Sequence, residues 1–254
     1  MYLATLTVYA ALTGVLLVYL ETNVFWTIIF LSVAPTCLFW YLEKLNSRII
    51  PVVLLVSVGV TTLFEVIAYS NGLWYELAPT GIRLFGLVPL ASFVAAFAHL
   101  LFYIVIYEYF FDDGKNPKKP APQHATYLIS GVGVLLAFAL GYVYLFSGVF
   151  MIYPFAVFVL IAFFIFLGAI AIFRSSWKRI IKKASLFALA IYPISIIYEL
   201  VSLQNDVRFF ANLNEYLYTF TFFGEALPLE ELIFIFFIPL WLAVIYELYL
   251  DDGK

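Results

Sequence analysis

Two adjacent glutamates, Glu230 and Glu231, stand directly behind Pro228 at the entrance of the apolar run "ALPLEELIFIFFIPLWLAVIYELYL" (226–250). Two further acids, Glu65 and Glu199, close other apolar runs, and Arg83 and Arg208, with Asn71 and Asn205, occupy the segments that follow. Ionisable groups inside apolar spans are costly and usually face a protein-lined cavity or a partner. Steps of four, three and four residues put Glu230, Phe234, Phe237 and Trp241 on one helix face, an acid at the head of an aromatic stripe. A carboxyl enclosed by apolar walls favours its protonated form. Aromatic faces stabilise nearby cations without offering a nucleophile that would trap them. Together they describe a site that protonates an alkene and steers a carbocation. A plainer reading stays open beside it: acids in a first helical turn favour the macrodipole, and arginines can simply pin loops.

The elements that must hold these residues are membrane spans. The 254 residues are 65% hydrophobic and only 11% charged, with a mean hydropathy of +1.05. A soluble domain is about half apolar and about a quarter charged. The apolar runs predict eight spans, at 2–20, 24–42, 50–69, 84–111, 126–148, 152–173, 184–201 and 227–250. The fourth is longer than a crossing needs and is expected to extend past the membrane or bend near Pro89. Eleven of the 13 basic residues fall in the loops 43–49, 112–125 and 174–183 or at Lys254, which places both termini in the cytoplasm of a cell membrane. The first apolar run lacks a basic flank and a cleavage signature, so it reads as a retained helix. The net charge of -3 says nothing about partners, and no nucleic-acid partner is expected.

The chain also repeats itself. Shifted by 139 residues, "PLASFVAAFAHLLFYIVIYEYFFDDGK" (89–115) overlies "PLEELIFIFFIPLWLAVIYELYLDDGK" (228–254), with 12 of 27 positions identical, among them "IYE" and "DDGK". "FEVIAYSNGLWYE" (64–76) likewise overlies "YELVSLQNDVRFF" (198–210), Glu65 upon Glu199. The expected fold is therefore all-α: a polytopic membrane protein of eight transmembrane helices arranged as two parallel four-helix repeats. The repeats are 1–116 and 126–254, joined by a cytoplasmic linker at 117–125. Parallel repeats predict a pseudo-twofold axis along the membrane normal and a site at their interface. Glu108 and Glu247 are expected at the rim near water, and Cys37 as a small buried side chain that excludes a disulfide and a cysteine metal site. His99, in the middle of the fourth span, reads either as a neutral imidazole bonded to a backbone group or hydroxyl, or as a proton relay.

The "PLEE" entrance, the four-span unit and the Tyr-Leu pairs near the start of each half (Tyr2-Leu3 and Tyr127-Leu128) resemble the flavin-independent carotenoid cyclases, in the form that fuses two small membrane subunits into one lycopene β-cyclase chain. "PLEELIFIFF" (228–237) is the most specific motif; "GLWYE" (72–76) and "GIRLFG" (81–86) are less so. The resemblance implies an intramolecular lyase, or isomerase, of a linear, lycopene-like carotenoid drawn from membrane lipid, needing no cofactor and no metal. It implies catalysis by Glu230 as proton donor, tuned by Glu231, with Glu199 or Glu65 as acceptor. Phe234, Phe237, Trp241 and Trp74 are then expected to line the substrate cavity, with Arg83 and Arg208 as further substrate-binding residues. The family's Pro-x-Glu-Glu is "PLAS" in the first half, where Ala91 and Ser92 stand in place of two acids. Two equivalent active centres are thus not expected.

Other classes fit less well. A retinal pump needs a lysine deep in its last span, yet all eight lysines lie in loops or at the chain end. The only Asp pairs, 112–113 and 251–252, stand at helix ends near basic residues, unlike prenyltransferase magnesium sites, and no G-x-G-x-x-G marks a dinucleotide. A proton-coupled transporter of an apolar or small-molecule substrate is the alternative, favoured by parallel repeats with embedded glutamates.

Overall fold

The computed structural model describes residues 2–43, 49–76, 81–84, 86, 88–112 and 177–247. The expected spans at 126–148 and 152–173, the linker 117–125 and Tyr127-Leu128 lie outside the described residues.

The described chain is mostly helical. It runs α1 (Tyr2–Tyr19), α2 (Val24–Ile28), a π turn (Ile29–Val33), α3 (Ala34–Glu43), α4 (Ile49–Asn71), β1 (Trp74–Glu76), β2 (Arg83–Leu84), β3 (Val88–Pro89) and α5 (Leu90–Phe111). After the gap come α6 (Trp177–Gln204), β4 (Arg208–Phe210), β5 (Thr219–Phe222), β6 (Glu225–Pro228) and α7 (Leu229–Ile245). Among the described residues, four helices are long and apolar enough to cross a membrane: Val24–Leu42, Ile49–Tyr69, Leu90–Phe111 and Arg179–Gln204. The first of these runs unbroken through the π turn, whose extra residue per turn rotates the face that follows and leaves Leu31, Ser32 and Thr36 buried together. Where α1 crosses α6, a Cβ on Gly14 would lie 3.0 Å from the side chains of Ile197 and Val201. Small residues let helix backbones approach this closely.

The helices predominate as expected, and three two-stranded antiparallel pairs are added to them at one end of the bundle. The fourth expected span begins six residues late for this reason: Arg83–Leu84 and Val88–Pro89 form the β2–β3 pair, and Pro89 sets the start of α5. Proline has no N–H to lose there, and its fixed φ leads into the helix. Pro228 does the same for α7 after the β5–β6 hairpin. Strands of two to four residues are too short for alternation to register in a sequence otherwise apolar throughout.

The two remaining strands, β1 and β4, pair in the register Trp74↔Phe210, Tyr75↔Phe209, Glu76↔Arg208. These are the segments that overlie each other at the 134-residue offset, so Tyr75 faces its own counterpart and its neighbours exchange partners. The helices leading in end alike. Gly72 (φ +61°) and Asp206 (φ +52°) both adopt the left-handed conformation. Leu73 N–H reaches Ala68 O at 2.9 Å, and Val207 N–H reaches Ser202 O at 2.9 Å. This is the Schellman closure of a helix C-terminus, natural for glycine and tolerated by aspartate.

The opposite end is held by a second exchange. The Tyr107 hydroxyl donates to Glu247, and the Tyr246 hydroxyl donates to Glu108. Lys183 adds ion pairs to Glu247 at 3.0 Å and Asp112 at 3.6 Å. The rim reading of Glu247 is thereby corrected: it is buried, bonded to the Tyr107 hydroxyl and paired with Lys183, while Glu108 is half-buried. Cys37 is corrected in the other direction, since it lies exposed on the outer face of α3. The strand-bearing end presents an apolar rim of Tyr75, Phe209, Leu217, Tyr218, Phe222 and Phe223, the last 85% exposed at the β5–β6 turn.

Candidate active site beneath the paired strands

A partly open cavity of about 180 Å³ lies under the β1–β4 pair, between α4, α5, α6 and α7. Glu65 of α4, Glu199 of α6 and Glu231 of α7 all line it, and all are buried. Glu65 stands six residues before the end of α4 at Asn71, and Glu199 five before the end of α6 at Gln204. Glu231 enters from the first turn of α7, where the peptide dipole favours a negative charge.

Arg208 organises the acids. Its Nη1 lies 3.0 Å from Glu231 Oε1 and 3.3 Å from Glu199 Oε1. Its guanidinium carbon stands 4.6 Å from the centre of the Trp74 ring and 5.1 Å from that of Phe210. The planar guanidinium thus stacks on indole while bridging two carboxylates, a combination lysine cannot reproduce. The strand register produces it, because β1–β4 pairing brings Trp74 of one segment beside Arg208 of the other.

The rest of the lining is aromatic and small. Phe234 lines the cavity with its ring 4.2 Å from that of Phe64, and Tyr198 lies 4.4 Å from the His99 ring. Ser92, Ala95 and Ala96 form the α5 wall. His99 bonds to hydroxyls on both sides: Ser32 Oγ at 3.2 Å from Nδ1 and Tyr103 Oη at 2.7 Å from Nε2. Tyr103 continues to Ser195 Oγ at 2.7 Å, and Ser195 donates to the Ile191 carbonyl at 3.3 Å. Each hydroxyl here can both donate and accept, and a neutral imidazole donates from one nitrogen and accepts at the other, so the contacts form one continuous hydrogen-bonded run from Ser32 to Ser195. The chain ties the π turn, α5 and α6 together along the cavity floor.

Of the residues singled out from the sequence, Glu65, Glu199, Glu231, Trp74, Arg208, Phe234 and His99 meet at this cavity. Four do not. Glu230 is 1% exposed but points away from it: Oε1 accepts the Leu217 N–H at 2.6 Å, and Oε2 has no hydrogen-bond partner among the described residues. Phe237 and Trp241 pack against the main core further along α7. Arg83 lies over the Tyr69 ring at 5.9 Å, on the flank of the β2–β3 pair. The lining stripe of α7 is Glu231, Phe234, Ile235 and Ile238, steps of three, four and seven from Glu231. A stripe counted from Glu230 therefore follows the neighbouring face. Tyr103 and Ser195 escaped the sequence reading, though each stands four residues from a residue it flagged, His99 and Glu199.

Tyr216 backs the site from outside the helices. Its hydroxyl donates to Leu73 O at 2.7 Å, and its ring meets Phe210 edge-on at 5.8 Å. Burial pushes the phenol well above the ordinary tyrosine range, with Glu231 and Glu230 adding to the rise against the opposing pull of Arg208.

Among the described residues no group of three or more histidine, cysteine, aspartate or glutamate side chains is placed to hold a metal ion. No family model matches the chain, and no curated protein or solved structure is detectably similar to it.

Proposed function

We propose that this protein is a membrane-embedded lycopene cyclase that converts linear ψ-end groups into β-ionone rings without net redox change. The observation that carries this reading is the convergence of Glu65, Glu199 and Glu231 on one cavity walled by Trp74, Phe64, Phe234 and Tyr198. Its volume, about 180 Å³, is close to the roughly 150 Å³ of an apolar cavity that holds a benzene ring. That accommodates one end group, with the remaining chain extending outward.

In the proposed reaction a glutamic acid of the cavity gives its proton to the terminal double bond. The tertiary cation is attacked by the neighbouring double bond, which closes a six-membered ring and moves the charge onto the ring. A carboxylate then removes a ring proton, leaving the new double bond. One proton enters and one leaves, so no cofactor is required. Glu231 and Glu199, paired with Arg208, suit the acceptor role, with Glu65 on the facing helix as the candidate donor. The aromatic faces lower the energy of the cation between the two steps.

We further infer the expected architecture of two parallel four-span repeats with both termini cytoplasmic. The exchanged strand register of β1 and β4, the matched closures at Gly72 and Asp206, and the exchanged Tyr–Glu bonds support it, since reciprocal contacts between equivalent positions are the mark of a twofold relationship. On this axis Ser92 occupies the position equivalent to Glu231, so the second half brings two acids to the shared cavity, Glu199 and Glu231, and the first half brings one, Glu65.

Expression in cells that accumulate lycopene, followed by chromatography of the pigments, tests the function. Cyclic product is expected. Unchanged lycopene beside folded protein would overturn the reading in favour of proton-coupled transport.

A further inference from the structure

Between β4 and β5 the chain forms a strap over the cavity's outer wall, from Ala211 to Tyr218. It is tied at both ends. The Ala211 N–H reaches Leu73 O at 2.8 Å, and Asn212 Nδ2 reaches Gly72 O at 3.1 Å. At the far end the Leu229 N–H meets Tyr218 O at 2.8 Å. Between them Tyr216 drops inward, 4% exposed, into a cluster with Trp74, Val88, Phe93 and Phe234. Two of these, Trp74 and Phe234, line the cavity, and Trp74 carries the Arg208 guanidinium.

The residue that fixes the middle of the strap is Glu230. Its Oε1 accepts the Leu217 N–H at 2.6 Å, while its own backbone belongs to the first turn of α7. It is fully enclosed, yet its second oxygen is unpartnered among the described residues. A carboxylate buried with half of its accepting capacity unused is expensive. The single bond it makes is therefore the feature to explain, and that bond spans from the helix bearing Glu231 to the loop that wedges Tyr216 behind Trp74.

We propose that Glu230 is a positioning residue: through the Leu217 amide it clamps the strap to α7, and so holds Trp74 and Arg208 against Glu231. It acts as a hydrogen-bond acceptor, and its proton does not enter the reaction. The proposal rests on the cyclase reading for its functional readout. The clamp itself is measured separately, by exchange of the Leu217 amide hydrogen.

The test compares three variants of the full-length protein in lycopene-accumulating cells and, after purification in detergent, by hydrogen exchange. Glu230→Gln keeps an acceptor oxygen in place. It is expected to leave Leu217 protected and conversion within about threefold of the parent, whereas Glu230→Ala loses protection and falls on the order of tenfold to a hundredfold, the scale of small displacements in a catalytic site. Leu217→Pro removes the donor with Glu230 intact and is expected to fall in parallel with Glu230→Ala. Loss of activity in Glu230→Gln with Leu217 still protected would overturn the proposal and make the Glu230 proton part of the chemistry. Full activity in both Glu230→Ala and Leu217→Pro would overturn it as well. If the parent protein itself leaves lycopene unchanged, the cyclase reading fails, while the exchange comparison still decides whether the clamp exists.

Discussion

The Tyr107 hydroxyl hydrogen-bonds Glu247 while the Tyr246 hydroxyl hydrogen-bonds Glu108, so two copies of one tripeptide exchange partners across the α5–α7 contact. Both tyrosines are buried, and Lys183 supplies the positive charge that a buried Glu247 needs. Tyr107→Phe keeps the ring and deletes the donor. We expect it to destabilise the fold by about 1–3 kcal/mol, the usual cost of stranding a buried polar partner. Tyr246→Phe is expected to cost less, because Glu108 is half-buried and can turn to water. Unfolding midpoints in detergent compare the two.

A second expectation concerns Arg208. Its side chain is 13% exposed and bridges Glu199 and Glu231. Removing the cation leaves two enclosed carboxylates facing each other, so Arg208→Gln is expected to cost about 3–5 kcal/mol. Adding Glu231→Gln to that variant relieves the repulsion and is expected to restore part of the stability without restoring conversion. If the double variant is no more stable than the single, the bridge has been assigned the wrong partner.

Close packing gives a third. Gly14 sits where α1 meets Ile197 and Val201 of α6, and an added Cβ already lies at 3.0 Å. Gly14→Leu forces the helices apart and is expected to lower stability by about 1–3 kcal/mol, in line with other overpacked interiors. Gly14→Ala is expected to fall between the two. A leucine variant as stable as the parent would show that α1 can slide outward freely.

Tyr216 predicts a pH dependence. The folded protein keeps its phenol protonated well above the ordinary range, whereas the unfolded chain releases that proton near pH 10. The stabilisation it supplies is thus whole below about pH 10 and declines as the pH rises beyond it. At neutral pH Tyr216→Phe is expected to be the less stable protein, having lost the bond to Leu73 O. The gap should narrow as the solution becomes strongly alkaline. A gap that stays constant across that range would place the stabilisation elsewhere.

Much of the frame is legible in the sequence, because hydropathy blocks of span length report helices directly. The residues 24–42, 50–69 and 184–201 differ from the observed helices by a few residues or a basic turn. The placement of Glu65, Glu199 and Arg208 at one end was equally readable, since the acids close apolar runs and Arg208 stands in the segment that follows. What hydropathy lacks is rotation about the helix axis. Glu230 and Glu231 are neighbours in sequence but about 100° apart around α7, and only packing against α6 decides which of them sees the cavity. The stripe through Phe237 and Trp241 failed to reach the cavity for the same reason. The short strands were illegible for another: their information lies in backbone pairing between distant segments, which a local pattern does not carry.

The apolar rim at the strand-bearing end has a consequence for how a greasy molecule is received. Tyrosine side chains such as Tyr75 and Tyr218 prefer the boundary between lipid headgroups and tails. They act as a float line that sets how far the bundle sinks, and so hold the glutamate cluster just inside that boundary. A polyene lying across the bilayer presents its tip at that level and its middle well below. Under the proposed function, the choice of chain end over chain centre is thus made by depth before any side chain has touched the substrate.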